Sequence, residues 1–215
     1  MRRRRIVIWR HGRTAWNAER RFQGQLDVPL DEVGLAQAAQ AAAALARLKP
    51  NRIVSSDLSR AMRTAQALAD RTGLEVQPDP GLRETFAGEW QGLSRQELES
   101  RFAAELAEWA SSSDTRPGGG ETRREVAERM VTSISAALAS VGKGQTLVVA
   151  THGGAARAAI GALVGLPAEY WGALGVLTNC AWSVLEENLT EHGPPWRLQE
   201  YNAGSLPRTA LADDR

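Results

Sequence analysis

Short apolar runs alternate along the chain with longer stretches in which apolar residues recur every three or four positions. The runs at residues 6–9 and 146–150 contain almost no polar side chain, which is typical of strands covered on both faces. Residues 52–55 form another short run, and residues 181–185 and 196–201 flank a Gly/Pro turn as a closing pair of strands would. This alternation predicts an α/β fold.

The stretches between these runs are rich in residues that favour helices. Helices are predicted at residues 31–48, 58–73, 94–110 (as one helix or two), 121–141 and 153–165. Asp57 is positioned to cap the second of these helices, and Gly73 is positioned to end it. Residues 111–120 (SSSDTRPGGG) are predicted to form a loop with the composition of a mobile segment.

These elements predict a three-layer α/β/α architecture, in which a mostly parallel central sheet carries helices on both faces. The length of 215 residues favours one domain, which we place at residues 1–203. Residues 91–120 are predicted to form a cap-like insertion, and residues 204–215 a flexible C-terminal tail.

Charge and composition exclude several classes of partner. The 26 Lys and Arg residues against 25 Asp and Glu residues give a net charge of +1, so no overall field attracts nucleic acid or an anionic membrane. The apolar run after residues 2–5 (RRRR) is too short for a signal peptide or a membrane span. We therefore expect a cytoplasmic protein with a small-molecule ligand, bound neither to nucleic acid nor to a membrane. The single cysteine fits a reducing compartment.

Two predicted strands end in the same way, with a histidine followed by glycine. The run at residues 6–9 leads into Arg10, His11 and Gly12, and the run at residues 146–150 leads into Thr151, His152 and Gly153. Because the carboxyl ends of parallel strands meet at one edge of a sheet, we expect the two imidazoles to converge there.

Three kinds of chemistry could use such a pair of histidines. A zinc site lacks the HxH or HExxH spacing, and a serine hydrolase lacks the G-x-S-x-G turn. A histidine nucleophile that attacks phosphorus fits better, because Arg10, Arg13 and Arg60 are all predicted at the same edge. The planar fork of arginine suits the oxygens of a phosphate group.

Six motifs carry a family resemblance. They are RHGRTAWN at residues 10–17, RFQGQLDVPLDEVGLAQA at 21–38, SSDLSRAMRTA at 55–65, LRETFAGEWQG at 82–92, GGGET at 118–122 and ATHGG at 150–154. In this order they resemble the blocks of the histidine phosphatase superfamily, in its phosphoglycerate-mutase-like branch. The resemblance extends over nearly all of residues 4–200 and implies a phosphoglycerate-mutase-like fold.

The resemblance implies a catalytic role for five residues. His11 would attack the phosphorus and become a phosphohistidine, while Glu84 would protonate the leaving oxygen. Arg10, Arg60 and His152 would hold the non-bridging oxygens, with His152 as a cation. Such a cluster would replace a metal ion, so neither a metal nor another cofactor is expected.

The resemblance also implies a set of binding residues. Phosphate would receive hydrogen bonds from Asn17 and from the backbone near Gln23, Gly24 and Gly153. The residues expected to border the entrance are Arg13, Thr14, Trp16 and Trp90. A homodimer is suggested by the resemblance and by no other feature of the sequence.

These expectations favour a metal-independent phosphatase that hydrolyses a small phosphate monoester. The alternative within the family is a phosphoglycerate mutase that depends on bisphosphoglycerate. Residues 91–120 contain no tyrosine, and their only cations are Arg95, Arg101 and Arg116, which argues against the mutase. The alternative from another class is a non-catalytic module that binds a phosphorylated ligand. Such a module would have no use for a nucleophile and a matched proton donor.

Overall fold

The computed structural model describes residues 2–190 and 192–204. The tail predicted for residues 204–215 lies outside this described part, apart from Gly204. Within it, six strands form one sheet: β1 Arg5–Arg10, β2 Arg52–Ser55, β3 Val76–Pro78, β4 Thr146–Thr151, β5 Trp182–Glu187 and β6 Trp196–Ala203.

The sheet has the strand order β3-β2-β4-β1-β5-β6. Strands β3, β2, β4 and β1 run parallel to one another, whereas β5 is antiparallel to both β1 and β6. The mostly parallel sheet is therefore confirmed. In the central pair, Arg10 at the end of β1 lies opposite Thr151 at the end of β4. This register brings the two following histidines to the same edge.

Helices cover both faces of the sheet. In chain order they are α1 Ala15–Ala18, α2 Glu32–Ala46, α3 Ser59–Thr72, α4 Arg95–Arg101, α5 Ala103–Ser111, α6 Arg123–Leu138 and α7 Gly153–Leu163, with short 3₁₀ turns at Pro80–Leu82, Gly88–Trp90, Pro117–Gly119 and Ala168–Ala173. Successive residues of β1 point to opposite faces, so Val7 and Trp9 pack with α2 and α3, while Ile6 and Ile8 pack with α6 and α7. The three-layer arrangement is confirmed.

Three local features differ from the predictions, and the first is the short helix α1, which was not predicted. Asp57 does not cap α3: the capping position is Leu58, which contributes no side-chain hydrogen bond, and Asp57 instead forms an ion pair with Arg83 at 2.6 Å. Strand β3 was not predicted, because its three residues lie at the sheet edge and are too few for an apolar pattern. Gly73 ends α3 with a φ of 71°, as predicted.

A small third core lies beside the edge of the sheet at which β1 and β4 end. Helices α4 and α5 meet at Phe102. Their residues Leu98 and Trp109 pack with Phe22 and Trp90 in this core. The rings of Trp90 and Trp109 meet edge to face, with centroids 5.7 Å apart. The segment predicted as a cap-like insertion therefore contributes one wall of the region described below. Among the described residues, every helix is too short or too polar to span a bilayer.

Candidate active site

The two histidines lie side by side where β1 and β4 end. The backbone N–H of His11 donates to the carbonyl of Thr151 at 3.0 Å, which continues the ladder between the strands by one step. The centroids of the His11 and His152 rings are 5.1 Å apart, with an angle of 60° between the planes. The structure thus brings together the two imidazoles that the strand ends predict.

His11 is buried and is held in one tautomer. Its Nδ1 lies 2.7 Å from the carbonyl oxygen of Gly12, and a carbonyl can only accept, so Nδ1 carries the proton. Nε2 is then left with a free lone pair. Burial lowers the pKa of His11 well below 6.5, and the neighbouring charges of Arg60 and Arg10 lower it further. His11 is therefore a neutral imidazole near pH 7.

His152 is fully buried and has the opposite tautomer. Arg60 Nε donates to its Nδ1 at 3.2 Å, so the proton is on Nε2, which donates to Ser56 Oγ at 2.8 Å. Burial lowers the pKa of His152 well below 6.5, and the charge of Arg60 adds to the effect. This hydrogen-bond pattern favours a neutral His152, whereas the resemblance implies a cationic one.

Arg60 links His152 to the loop that contains Gly24. It is the second residue of α3 and is completely buried. Its terminal nitrogens donate to the carbonyls of Gly24 at 2.7 Å and Leu26 at 2.8 Å. Burial lowers the pKa of Arg60 to about 10, which leaves the guanidinium charged at neutral pH. A fixed positive charge therefore lies beside both imidazoles.

Arg10 supplies a second guanidinium at the same edge. It is the last residue of β1, and its Nη1 donates to the carbonyl of Leu177 at 2.5 Å. Gly153 lies against this side chain: a Cβ at that position would come within 3.3 Å of Arg10 Nε and 2.6 Å of Val176. Glycine at position 153 thus allows the guanidinium to lie close to the helix backbone.

Glu84 lies at the N-terminus of α7. Its Oε2 accepts from the backbone N–H of Gly154 at 2.9 Å, and its Oε1 accepts from Ala155 at 2.8 Å and from Thr85 at 2.9 Å. Helix N-termini stabilise carboxylates through such N–H groups. Because α7 begins directly after His152, one helix end positions both the carboxylate and the second imidazole.

These side chains border a cavity of about 210 Å³. The lining residues that the sequence predicted as functional are Arg10, His11, Asn17, Gln23, Gly24, Arg60 and Glu84. The lining residues that it did not predict are Arg21, Phe22, Thr85, Trp109, Gly154, Arg157 and Val176. His152 lies behind His11 and Arg60, with none of its surface exposed. The cavity volume suits a small ligand.

The four residues predicted at the entrance are not among those that line the cavity. Thr14 is fully buried and caps α1, and its hydroxyl bonds to Asn17 Oδ1 at 3.1 Å. Arg13 forms an ion pair with Asp31 at 2.8 Å. Trp90 is buried in the third core, and Trp16 does not line the cavity. Their placement at the entrance stays a prediction, which these contacts do not test.

Asn17 is oriented toward the cavity by the residues around it. Its Oδ1 accepts from the backbone and hydroxyl of Thr14, both at 3.1 Å, and from Asn179 Nδ2 at 3.3 Å. The Nδ2 group is then the end of the amide left for a ligand. Asn179 also donates to the carbonyl of His11 at 3.1 Å. Asn179 was not predicted as a site residue, because it follows no predicted strand and lies in none of the six motifs.

The arrangement can bind an anion and attack it. The guanidinium groups of Arg10 and Arg60 and the neutral imidazole of His11 converge on one cavity, which the carboxylate of Glu84 also lines. In the part of the chain that the structure describes, no group of three or more His, Cys, Asp or Glu side chains is arranged to hold a metal ion. Cationic donors around a nucleophile are the means by which proteins stabilise a transferring phosphoryl group.

Comparison with known proteins supports the same kind of chemistry. A family model described as "Histidine phosphatase superfamily (branch 1)" matches residues 6–203. A glucosyl-3-phosphoglycerate phosphatase of Mycolicibacterium vanbaalenii is 39% identical over 95% of this chain and 97% of that protein. A metal-independent phosphoserine phosphatase of Arabidopsis thaliana is 41% identical over 71% of this chain and 66% of that protein.

A solved structure is similar over the same range. Mycobacterial glucosyl-3-phosphoglycerate phosphatase in complex with VO₃ superposes with a TM-score of 0.86 and 41% sequence identity. The match covers 95% of this chain and 100% of that one. The likeness therefore extends to the whole fold.

Proposed function

This chain belongs to the histidine phosphatase superfamily and is a hydrolase of phosphate monoesters; we propose that it works through a covalent phosphohistidine at His11. The observation that carries the proposal is the convergence of a neutral His11 with Arg10 and Arg60 on one small cavity. A buried neutral imidazole with a free Nε2 is a competent nucleophile.

In the first step, His11 Nε2 forms a bond to phosphorus while the bond from phosphorus to the ester oxygen breaks. Arg10 and Arg60 stabilise the negative charge on the non-bridging oxygens. Glu84, in its protonated form, gives its proton to the departing oxygen, so that an alcohol leaves rather than an alkoxide. Asn17 Nδ2 and the loop at Gln23 and Gly24 add hydrogen bonds to the phosphoryl group.

In the second step, water attacks the phosphohistidine. Glu84, now a carboxylate, takes a proton from this water as its oxygen bonds to phosphorus. The bond between phosphorus and Nε2 breaks, and inorganic phosphate leaves. A phosphoryl group on His11 would also bring negative charge beside His152, and such charge favours the protonated imidazole. His152 is thus proposed to become the cation during turnover.

The substrate we propose is a small phosphorylated acid, and glucosyl-3-phosphoglycerate is the named candidate. The support is the 39% identity, over nearly the whole chain, to the phosphatase of that name from Mycolicibacterium vanbaalenii. No metal ion takes part in the proposed reaction. Water rather than a second substrate is the acceptor, because residues 91–120 lack the tyrosine and arginine pair expected of the mutase.

The test is turnover of p-nitrophenyl phosphate and of glucosyl-3-phosphoglycerate in the presence of EDTA. We expect hydrolysis of both, with a higher kcat/KM for the second compound and no loss on chelation. The variant His11→Ala should lose at least about a thousandfold in kcat, since no other nucleophile lies at this strand end. Binding of phosphate esters without hydrolysis would instead identify a non-catalytic module.

A further inference from the structure

Arg157 lines the cavity, and the mechanism above does not use it. It lies on α7 three residues after Gly154, so the two residues share a face of the helix and both border the cavity. The Arg157 guanidinium forms no hydrogen bond and no ion pair with any other described residue. Arg157 is half-buried, and a guanidinium that is partly removed from water without a protein partner leaves its donors available to a ligand.

The neighbouring polar groups are already engaged. The oxygens of Glu84 accept from the backbone at the start of α7, and the hydroxyl of Tyr201 donates to the carbonyl of Gly175. Burial lowers the pKa of Arg157, although the neighbouring Tyr201 and the charge of Glu84 oppose this effect. The guanidinium is therefore held as a cation whose donors point to no acceptor of the protein.

A second cation lies on the same side. The guanidinium of Arg123 stacks on the ring of Trp109, which lines the cavity, at 4.4 Å from the ring centroid. Its Nη1 donates to the carbonyl of Ser112 at 2.8 Å, and its Nε has no partner among the described residues. Burial lowers the pKa of Arg123 to about 10, and the charge of Arg157 lowers it further. Two cations close enough for the charge of one to lower the pKa of the other make this end of the cavity favourable for an anion.

We propose that Arg157 binds a carboxylate on the leaving-group part of the substrate and thereby selects phosphorylated acids. The inference rests on the proposed function and concerns the other end of the same substrate. The position of Arg157 suits the leaving-group end of the substrate. Glu84, which is assigned to the leaving oxygen, accepts a hydrogen bond from Gly154, and Arg157 lies one helical turn after Gly154. The guanidinium fork can bind a carboxylate with two parallel hydrogen bonds.

The experiment compares two inhibitors of p-nitrophenyl phosphate hydrolysis. 3-Phosphoglycerate and glycerol 3-phosphate carry the same phosphate ester and differ by a carboxylate in place of a hydroxymethyl group. The ratio of their Ki values isolates the contribution of the carboxylate, whether or not the enzyme also hydrolyses them. The ratio is measured for the wild-type protein and for Arg157→Gln, Arg157→Lys and Arg124→Gln. Arg124 is exposed and paired with Asp114, so its variant controls for the loss of one positive charge.

We expect the wild-type protein to bind 3-phosphoglycerate at least about tenfold more tightly than glycerol 3-phosphate. Arg157→Gln should remove most of this preference, Arg157→Lys should retain part of it, and Arg124→Gln should keep it. A wild-type ratio near one, or a ratio unchanged in both Arg157 variants, would overturn the inference. Failure of the wild-type protein to hydrolyse p-nitrophenyl phosphate would refute the proposed function itself.

Discussion

His11 and His152 occupy equivalent positions at adjacent strand ends, yet their hydrogen bonds select opposite tautomers. The backbone carbonyl of Gly12 fixes the proton of His11 on Nδ1, whereas Arg60 requires the Nδ1 of His152 to accept. One ring therefore offers a lone pair on Nε2, and the other carries its proton there. His11 can therefore act as a nucleophile and His152 as a hydrogen-bond donor, although both are histidines.

The assignment of Glu84 predicts a dependence on the leaving group. In Glu84→Gln, hydrolysis of an alkyl phosphate should fall by about 10²–10⁴ in kcat/KM, because a basic alkoxide needs a proton to depart. The first step with p-nitrophenyl phosphate should fall much less, since p-nitrophenolate leaves without protonation. Single-turnover rates with both substrates measure this difference. Equal losses would remove Glu84 from the role of general acid.

The residues of the site differ in how far a sequence can predict them. His11 and His152 follow predicted strands, so the fold itself brings them together. Thr14 and Arg13 lie in the motif beside His11, but helix capping and an ion pair with Asp31 decide where they point. Arg157 was missed, because only the packing of α7 against the cavity distinguishes it from other helical arginines.

At the scale of elements, the loop after β1 lies directly on the first turn of α2. A Cβ at Gly34 would come within 2.0 Å of the carbonyl oxygen of Arg13, and a Cβ at Gly12 within 2.4 Å of the carbonyl oxygen of Gly34. Both neighbouring atoms are backbone, which cannot rotate away. The two glycines thus set the distance between the nucleophile loop and α2.

Gly34→Ala should therefore destabilise the fold and disturb the site together. We expect a loss of about 1–3 kcal/mol in the free energy of unfolding, because α2 or the loop must move. Hydrolysis of p-nitrophenyl phosphate should fall as well. Urea unfolding and kcat measure the two effects. Gly172→Ala is the matched control, since a Cβ there meets no atom within 4 Å. Equal behaviour of the two variants would contradict the argument.

Most elements were predictable because their patterns are local. Strand β2 has the predicted bounds, and α3 ends at Gly73 as expected. The failures concern features that depend on tertiary contacts. Asp57 has the right position and residue type for a cap, but the ion pair with Arg83 takes its carboxylate. Residues 94–110, predicted as one helix or two, are two helices that meet at Phe102, whose ring packs in the third core.

For the whole molecule, the two buried histidines predict that stability depends on pH. In the unfolded chain each titrates near 6.5, whereas burial lowers both pKa values in the folded protein. Below pH 6.5 the unfolded state therefore binds more protons, and stability falls as the pH decreases toward the lowered values. Above pH 6.5 the two histidines are neutral in both the folded and the unfolded protein, so they no longer reduce the free energy of unfolding. Two such groups can contribute at most about 2.7 kcal/mol per pH unit.

Urea unfolding between pH 7.5 and 5 measures this slope. His152→Asn, if folded, should show a smaller slope than the wild-type protein, because only one buried histidine remains. His192→Asn is the control, since His192 lies in an exposed turn. A free energy of unfolding that stays constant over this range would contradict the neutral state of the two imidazoles.

The architecture of the molecule was predictable because alternating strands and helices admit few arrangements. The antiparallel addition of β5 beside β1 follows from no local pattern, and neither does the third core around Trp90. Both depend on how distant segments pack. The shape of the cavity beyond the phosphate site, and with it the selection of the substrate, belongs to this less predictable part.

The central claim is that phosphorus becomes bonded to His11, and one trapping experiment tests it most directly. In Glu84→Gln with p-nitrophenyl phosphate, the first step needs no general acid, while the second lacks its base, so the intermediate should accumulate. Quenching into alkaline detergent, followed by peptide mass spectrometry, should locate a phosphoryl group on His11 that is stable in alkali and lost in acid. A phosphoryl group on any other residue, or none while p-nitrophenol is released in a burst, would contradict the account.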